Sequence, residues 1–259
     1  MTVVDIDPPE LPALRFHQLR RIGQSPAHYR AAIETGDPAP AGTALHSTLL
    51  GGKRLVKWDR QTESGKSAPR NGQHWDKFRA DNPDALILTP SEYAEAAGMV
   101  ASVRACPEAM RVLEGVKEQP VYWDVLGRRC RATVDVRADQ YITDLKSTKS
   151  SDPRKFMWDS LRYGYNGYMA WSLDGIVMAG AGAPEAAFIV AVENSAPFVT
   201  TVFRLTDRAL DMGRRMYRLW LERLQTCEES DAWPGYSQCV VPLDVPGDDV
   251  EVAEVEEAA

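Results

Sequence analysis

The stretch RATVDVRADQYITDLKS, residues 131–147, decides the fold predicted for this chain. Apolar and polar residues alternate on both sides of Asp139, which predicts two short strands joined by a turn. If that turn is tight, Asp135 and Asp144 face each other across a hairpin, about 5 Å apart. Lys146 follows Asp144 by two residues and therefore projects from the same face of the sheet. The stretch thus predicts two carboxylates and one ammonium group on a single surface.

The patterns on either side of this stretch predict an α/β protein in which helices cover a mixed central sheet. Residues 51–84, rich in Gly, Lys, Arg, Ser and Asn, are predicted to form a long surface loop. In the aromatic helix that follows the hairpin, Phe156, Trp158 and Trp171 are predicted to pack in the core. The predicted elements are a helix around Ser25-Pro26, a short helix at 43–50, a helix at 91–114 with a break at Pro107, three strands between 121 and 145, a helix from Pro153 to about Asp174, strands at 187–193 and 198–205, and a helix at 207–226.

The two ends of the chain differ in composition from its centre. Residues 1–13 are rich in proline and acids and are predicted to be a flexible arm. Residues 243–259 carry seven Asp or Glu and no Lys or Arg, which predicts an acidic disordered tail. Residues 14–242 are the predicted folded domain. Without the tail, acidic and basic residues balance at 30 each, so net charge does not decide whether the domain binds a polyanion.

Composition excludes several classes of protein. The N-terminus lacks the basic and apolar regions of a signal peptide, and the most apolar stretch, 176–192, contains Pro184 and Glu185, so no membrane span is predicted. The four cysteines show no disulfide or CxxC spacing. We therefore expect reduced thiols and a cytoplasmic location.

The predicted acidic hairpin suits one chemistry in particular. Two acids and an ammonium group buried without a ligand would each cost several kcal/mol. Metal-assisted phosphodiester hydrolysis would use all three groups, because Asp135 and Asp144 could hold Mg²⁺ while Lys146 orients water or supports developing charge. From these residues alone, an ordinary Asp–Lys salt bridge on an exposed hairpin is the favoured interpretation, because three such residues recur by chance. His46 alone is either a packed histidine or a ligand, and Glu118 is either a site acid or a strand-end charge.

Several segments of the chain, taken in order, resemble one nuclease family. The arrangement is similar to that of PD-(D/E)XK nucleases of the exodeoxyribonuclease VIII, or RecE-like, branch found in phages and prophages, over residues 14–242. The segments are SPAHYR at 25–30, GTALHSTLL at 42–50, Glu118, Asp135 with DLKST at 144–148, YGYNGYMAWSLDG at 163–175, AVENSAPFVTTVFRL at 191–205 and WPGY at 233–236.

The resemblance implies a restriction-endonuclease-like core and a set of site residues. Many relatives carry Gln-x-x-x-Tyr on the helix after the lysine, whereas here those places hold Tyr168 and Ser172. The implied cation is Mg²⁺, with Mn²⁺ as a substitute. The implied metal ligands are His46, Asp135, Asp144 and Leu145; the implied catalytic residues are Lys146, Asp144, Asp135 and Glu118; and the predicted nucleic-acid contacts are Arg54, Lys57, Lys149 and Tyr168.

Further expectations concern DNA contacts and clusters. Basic residues recur at 53–60, 66–70 and 128–131, and Arg154 and Lys155 flank the predicted site. Trp58 and Trp75, inside the long loop, are candidates for stacking on an unpaired base. Some related nucleases hold an iron–sulfur cluster with one early and three late cysteines. Only Cys227 and Cys239 are late here, so no iron–sulfur cluster is expected.

The resemblance also implies an activity and partners. It implies a metal-dependent exonuclease that attacks linear double-stranded DNA at its ends, resects 5′ to 3′, and leaves a 3′ single strand for a single-strand annealing protein. It further implies a homo-oligomeric ring, and a phage or prophage gene in a bacterial host. The alternatives are a non-catalytic DNA-end-binding accessory protein of recombination and a structure-specific endonuclease.

Overall fold

The computed structural model describes residues 13–31 and 39–243. The predicted arm and tail therefore lie outside the described residues, apart from Ala13 and Leu243. From Pro90 onward, its groups of helices and strands follow the predicted order, whereas residues 14–88 also contain strands that were not predicted. The strands are β1 Leu14–Arg15, β2 Arg54–Lys57, β3 Ala85–Leu88, β4 Val116–Lys117, β5 Pro120–Val125, β6 Arg128–Thr133, β7 Val136–Arg137, β8 Tyr141–Thr148, β9 Ala186–Glu193 and β10 Thr200–Arg204. The helices are α1 Phe16–Gln24, α2 Pro26–Arg30, α3 Pro40–His46, a π-helical turn Ser47–Gly51, α4 Gly72–Ala80, α5 Pro90–Ala105, α6 Pro107–Val112, α7 Pro153–Tyr163, α8 Tyr165–Met178 and α9 Asp207–Ser230.

A five-stranded mixed sheet, in the order β10-β9-β8-β7-β4, forms the centre of the fold. β8 and β9 are parallel and pair over eight residues each, whereas β8 pairs with β7 over only two residues. A parallel pair needs a crossover connection, and α7 and α8 supply it. β8 is thus an inner strand whose second half has one strand neighbour.

The five-stranded sheet separates two apolar cores. The first core lies between this sheet, the three-stranded sheet β1-β6-β5, and helices α1, α8 and α9. The second lies on the opposite face, under α3, α5 and α6. Because side chains alternate along a strand, Ile142 enters the first core and Leu145 the second. Asp144 and Lys146 share the face of Ile142.

The prediction of a long loop over 51–84 is wrong, because the structure forms β2 and α4 within that range. None of the residues of α4 is buried, so the polar composition reflects an exposed helix rather than a loop. Trp58 is only 4% exposed and donates a hydrogen bond to the Ala68 carbonyl, 3.0 Å away. Trp75 packs against it edge to face. Trp58 is therefore a packing residue and is not available to stack on a base.

The single helix predicted after the hairpin is two helices, α7 and α8, divided at Gly164. Gly164 has φ 73°, a left-handed conformation that glycine adopts without steric cost. Phe156 and Trp171 are buried, as predicted, but Trp158 is 64% exposed, so the prediction that it packs in the core is wrong. Within the described residues, no helix combines the length and apolar character that crossing a membrane requires.

Candidate active site

Asp135 lies in a bend between β6 and β7, where the chain leaves the three-stranded sheet and enters the five-stranded one. The strand predicted to run through Asp135 is therefore interrupted there. The register pairs Val136 with Thr143, so Asp135 is placed beside Asp144. Asp135 Oδ2 accepts a hydrogen bond from the backbone N–H of Leu145, 2.7 Å away. β7 does not extend to Leu145, so the Asp135 carboxylate accepts the hydrogen bond that a neighbouring strand would otherwise accept there.

Asp144 and Lys146 form a pair on one face of β8. The Asp144 side chain is 2% exposed, and Lys146 Nζ donates a hydrogen bond to its Oδ1 at 2.9 Å. Asp144 Oδ2 lies 2.7 Å from the same Nζ but accepts no hydrogen bond from any group in the described part of the chain. One buried carboxylate oxygen is thus left with unused acceptor capacity.

His46, the last residue of α3, approaches Asp135 from the second core's side of the sheet. α3 packs closely on β8, since a Cβ added at Gly42 would lie 2.9 Å from Ser147 Oγ. This close approach brings His46, one helical turn later, to a distance of 3.7 Å between its Nδ1 and Asp135 Oδ2. The predicted metal ligands His46, Asp135 and Asp144 are therefore neighbours in pairs. Across residues 13–31 and 39–243, however, no three His, Cys, Asp or Glu side chains converge as a ready metal cage.

A cavity of about 330 Å³ opens beside Asp135, Asp144 and Lys146. Tyr165 and Tyr168 of α8 form part of its wall, and Lys146 Nζ lies 5.6 Å and 5.8 Å from the centres of their rings. Tyr168 is held in place because its hydroxyl donates a hydrogen bond to the Thr133 carbonyl at 2.6 Å. The two rings shield the ammonium group and favour its charged form.

The other predicted site residues lie outside this cavity. Glu118 is exposed between β4 and β5, and its backbone N–H donates to the Asp135 carbonyl at 3.0 Å. Arg54 is exposed and bonds to Asn82, and Lys57 pairs loosely with Asp59. Lys149 is exposed just after β8, and Leu145 contributes its backbone while its side chain is buried. The structure thus gathers Asp135, Asp144, Lys146 and Tyr168 around the cavity and leaves the predicted basic contacts apart from it.

Comparison with known proteins identifies the family of the domain that holds this site. The sequence model described as "PDDEXK-like domain of unknown function (DUF3799)" matches residues 17–241. The chain belongs to this family. The match confirms the predicted PD-(D/E)XK core with a mixed sheet flanked by helices, and it is consistent with the resemblance to RecE-like nucleases.

A solved structure shares the fold of this chain. The crystal structure named "Putative exonuclease" from Eubacterium rectale has a TM-score of 0.62 to this chain at 13% sequence identity. The alignment covers 94% of this chain and 92% of that one, so the likeness extends over the whole domain. No curated protein matches the chain significantly. At 13% identity, this likeness shows a shared fold.

The electrostatics of this PDDEXK-like site are governed by the two carboxylates. Burial, together with the Asp144 carboxylate, raises the pKa of Asp135 to about 6, against the opposing effects of Lys146 and His46. Burial alone lowers the pKa of Lys146, but the Asp144 and Asp135 carboxylates outweigh it and raise that pKa. Lys146 is therefore a fixed cation at neutral pH, and Asp135 is the group whose charge the site tolerates poorly.

The donor set fits a divalent cation. Mg²⁺ and Mn²⁺ prefer oxygen ligands, and the site offers two adjacent carboxylates. One of them carries Asp144 Oδ2, which contacts the Lys146 ammonium group and retains acceptor capacity. A dication would also remove the repulsion between Asp135 and Asp144. His46 lies where an imidazole could complete the shell. Such a cation would polarise a phosphate oxygen and acidify a bound water.

Several residues lining the cavity were not among the predicted site residues. Arg131 lines it from β6, and its buried Nε makes no hydrogen bond within the described chain. Alternation in β6 placed Arg131, Thr133 and Asp135 on one face, so periodicity alone could have identified Arg131. Arg15 and Arg20 reach the same cavity from the N-terminal region, and no local sequence signal connects them to residue 135.

Replacing His46 with alanine should test whether it is a ligand. Its side chain is 30% exposed and belongs to neither apolar core, so His46→Ala should leave the melting temperature of the metal-free protein nearly unchanged. It should reduce the rise in melting temperature that Mn²⁺ produces by binding the folded state. Thermal scans with EDTA and with Mn²⁺ provide the measurement. If His46→Ala instead unfolds much of the protein, and the fraction that stays folded shows the full rise in melting temperature with Mn²⁺, then His46 is a packing residue.

Proposed function

We propose that this chain is a metal-dependent nuclease that hydrolyses phosphodiester bonds of linear double-stranded DNA from its ends. The observation that carries the proposal is the buried Asp144 beside the largely buried Asp135, with Lys146 at the wall of a cavity, in a PDDEXK-like domain. Buried like charges persist in proteins mainly where a ligand or a reaction requires them. A surface salt bridge would need no such burial.

The two carboxylates and the lysine have different roles in this proposal. Asp135 and Asp144 hold the cation, and Asp135 also fixes β8 by accepting the hydrogen bond of Leu145. Lys146 keeps its proton, because its pKa is raised, so it acts as an electrostatic group rather than a general base. It stabilises the negative charge that develops on the phosphate and helps to orient the attacking water.

The finer features of the proposal rest on the resemblance to RecE-like nucleases. They are resection in the 5′ to 3′ direction, a 3′ single strand passed to an annealing protein, Mg²⁺ as the natural cation with Mn²⁺ as a substitute, and a homo-oligomeric ring around DNA. The proposal includes a role in phage or prophage recombination in the bacterial cytoplasm.

A single set of digestions tests the proposed activity. With Mg²⁺, the protein should shorten end-labelled linear duplex DNA and leave covalently closed circles intact, and EDTA should abolish the reaction. Labels at the 5′ and 3′ ends report the polarity. Equal cutting of closed circles would identify an endonuclease instead, and binding to ends without cleavage in Mg²⁺ or Mn²⁺ would identify an accessory protein.

A further inference from the structure

One face of α7 combines exposed apolar side chains with exposed basic ones. Trp158 is 64% exposed, Met157 49% and Leu161 37%, in a helix whose Phe156 is buried. At 100° per residue, six of the exposed residues fall within a sector of about 160°. We define the α7 face as Arg154, Lys155, Met157, Trp158, Leu161 and Arg162.

The charges on the α7 face have one sign. Within the described residues, Arg154, Lys155 and Arg162 form no ion pair, and Asp159, the acid inside the helix, is partly buried at the edge of the sector. The Asp152 carboxylate caps the N-terminus of α7, since it accepts hydrogen bonds from the backbone N–H groups of Arg154 and Lys155. The uncompensated charge on this face therefore suits a polyanion.

The α7 face is also continuous with the catalytic cavity. Leu161 and Arg162 line a second cavity, of about 560 Å³, between α1, α7 and α9. That cavity shares His17 and Arg20 with the cavity at Lys146. None of the residues that line it is acidic. A strand leaving the catalytic cavity would thus meet positive charge along this path.

We propose that the α7 face binds unpaired nucleotides of the DNA strand next to the cleaved phosphodiester, with Trp158 stacking on a base. The inference rests on the proposed nuclease function. Aromatic side chains stack on any base, and neighbouring basic groups contact the phosphates, which is the usual way that proteins hold single strands. The exposed Trp158 indole supplies the stacking surface, and the basic side chains of the α7 face supply the phosphate contacts.

The test measures binding without cleavage. Trp158→Ala, Trp158→Phe and wild type are titrated against a fluorescent single-stranded oligonucleotide in EDTA, and against the same oligonucleotide with abasic sites. Leu219→Ala is the matched control, because Leu219 is 62% exposed beside arginines on α9 and lines neither cavity. We expect Trp158→Ala to bind the normal strand at least about fivefold more weakly, and Trp158→Phe to recover most of that loss.

The abasic strand separates stacking from a structural effect. Wild type should lose affinity for it, whereas Trp158→Ala should bind both strands alike, with a melting temperature equal to that of wild type. Equal binding of wild type and Trp158→Ala to both strands would overturn the inference. So would a change in oligomer mass in Trp158→Ala with DNA binding intact, which would assign the α7 face to a protein contact. If wild type stacks as expected but never cleaves, the nuclease proposal fails, and only single-strand binding by the α7 face stands.

Discussion

Lys146→Ala is expected to lower turnover about 100-fold or more while leaving DNA affinity nearly unchanged. The Lys146 ammonium group lies 2.9 Å from Asp144 Oδ1, at the wall of the candidate active-site cavity, and carries a charge that a neutral side chain cannot supply. Single-turnover cleavage of linear DNA in Mg²⁺ gives the chemical step. Fluorescence anisotropy in EDTA gives the affinity separately.

Stability must be controlled in that experiment, because removing one partner of a buried ion pair commonly costs about 3–5 kcal/mol. Lys146→Arg keeps the charge beside Asp144 and should fold at least as well as Lys146→Ala. Lys77→Ala, on the exposed helix α4, controls for the loss of any one lysine. A folded Lys146→Ala protein that cleaves at the wild-type rate would show that Lys146 takes no part in the chemistry.

Asp135→Asn is expected to stabilise the metal-free protein at high pH and to remove most of its response to Mn²⁺. The pKa of Asp135 is raised from 3.8 to about 6 in the folded state. Its stabilising contribution is therefore complete below pH 4 and is lost as the pH rises through 6. A shift of this size corresponds to a destabilisation on the order of 1–3 kcal/mol at pH 8. Asparagine avoids this cost and can still accept the hydrogen bond of Leu145.

Chemical denaturation at pH 5 and pH 8, with EDTA or Mn²⁺, measures both effects. The gain from Asp135→Asn should appear at pH 8 and shrink at pH 5. Asp81→Asn, at the exposed end of α4, should change neither quantity. If the Asp135→Asn variant kept the full Mn²⁺ stabilisation, the cation would bind elsewhere. If the substitution destabilised the protein equally at both pH values, the hydrogen bond from Leu145 to the Asp135 carboxylate would contribute more to stability than the repulsion from Asp144 costs.

The sequence was informative about the fold wherever an element had a strong period. Alternation predicted the strands around Asp135 and Asp144, and the mixed sheet follows from the order of elements. Alternation could not show that the chain changes sheets at Asp135, because the apolar pattern continues through the bend. α4 was missed for a different reason, since a helix without buried residues has no apolar stripe.

The candidate site was predictable where its residues are close in sequence. Asp144 and Lys146 lie on one strand, and Asp135 lies across the turn from them. Arg15 and Arg20 reach the cavity only through the packing of α1, which no local pattern encodes. Trp158 shows the opposite failure, because an aromatic residue in a helix was assigned to the core although its position points outward.

The parallel pairing of β8 with β9 has a consequence for the synthesis of this protein. β8 gains eight paired residues from β9 but only two from β7. When Asp144 and Lys146 have just been synthesised, α7, α8 and the whole of β9 have still to be translated. Until then, β8 lacks its main neighbouring strand, and the carboxylates of Asp135 and Asp144 stay hydrated. The candidate site can therefore be completed only after β9 has been synthesised and has paired with β8.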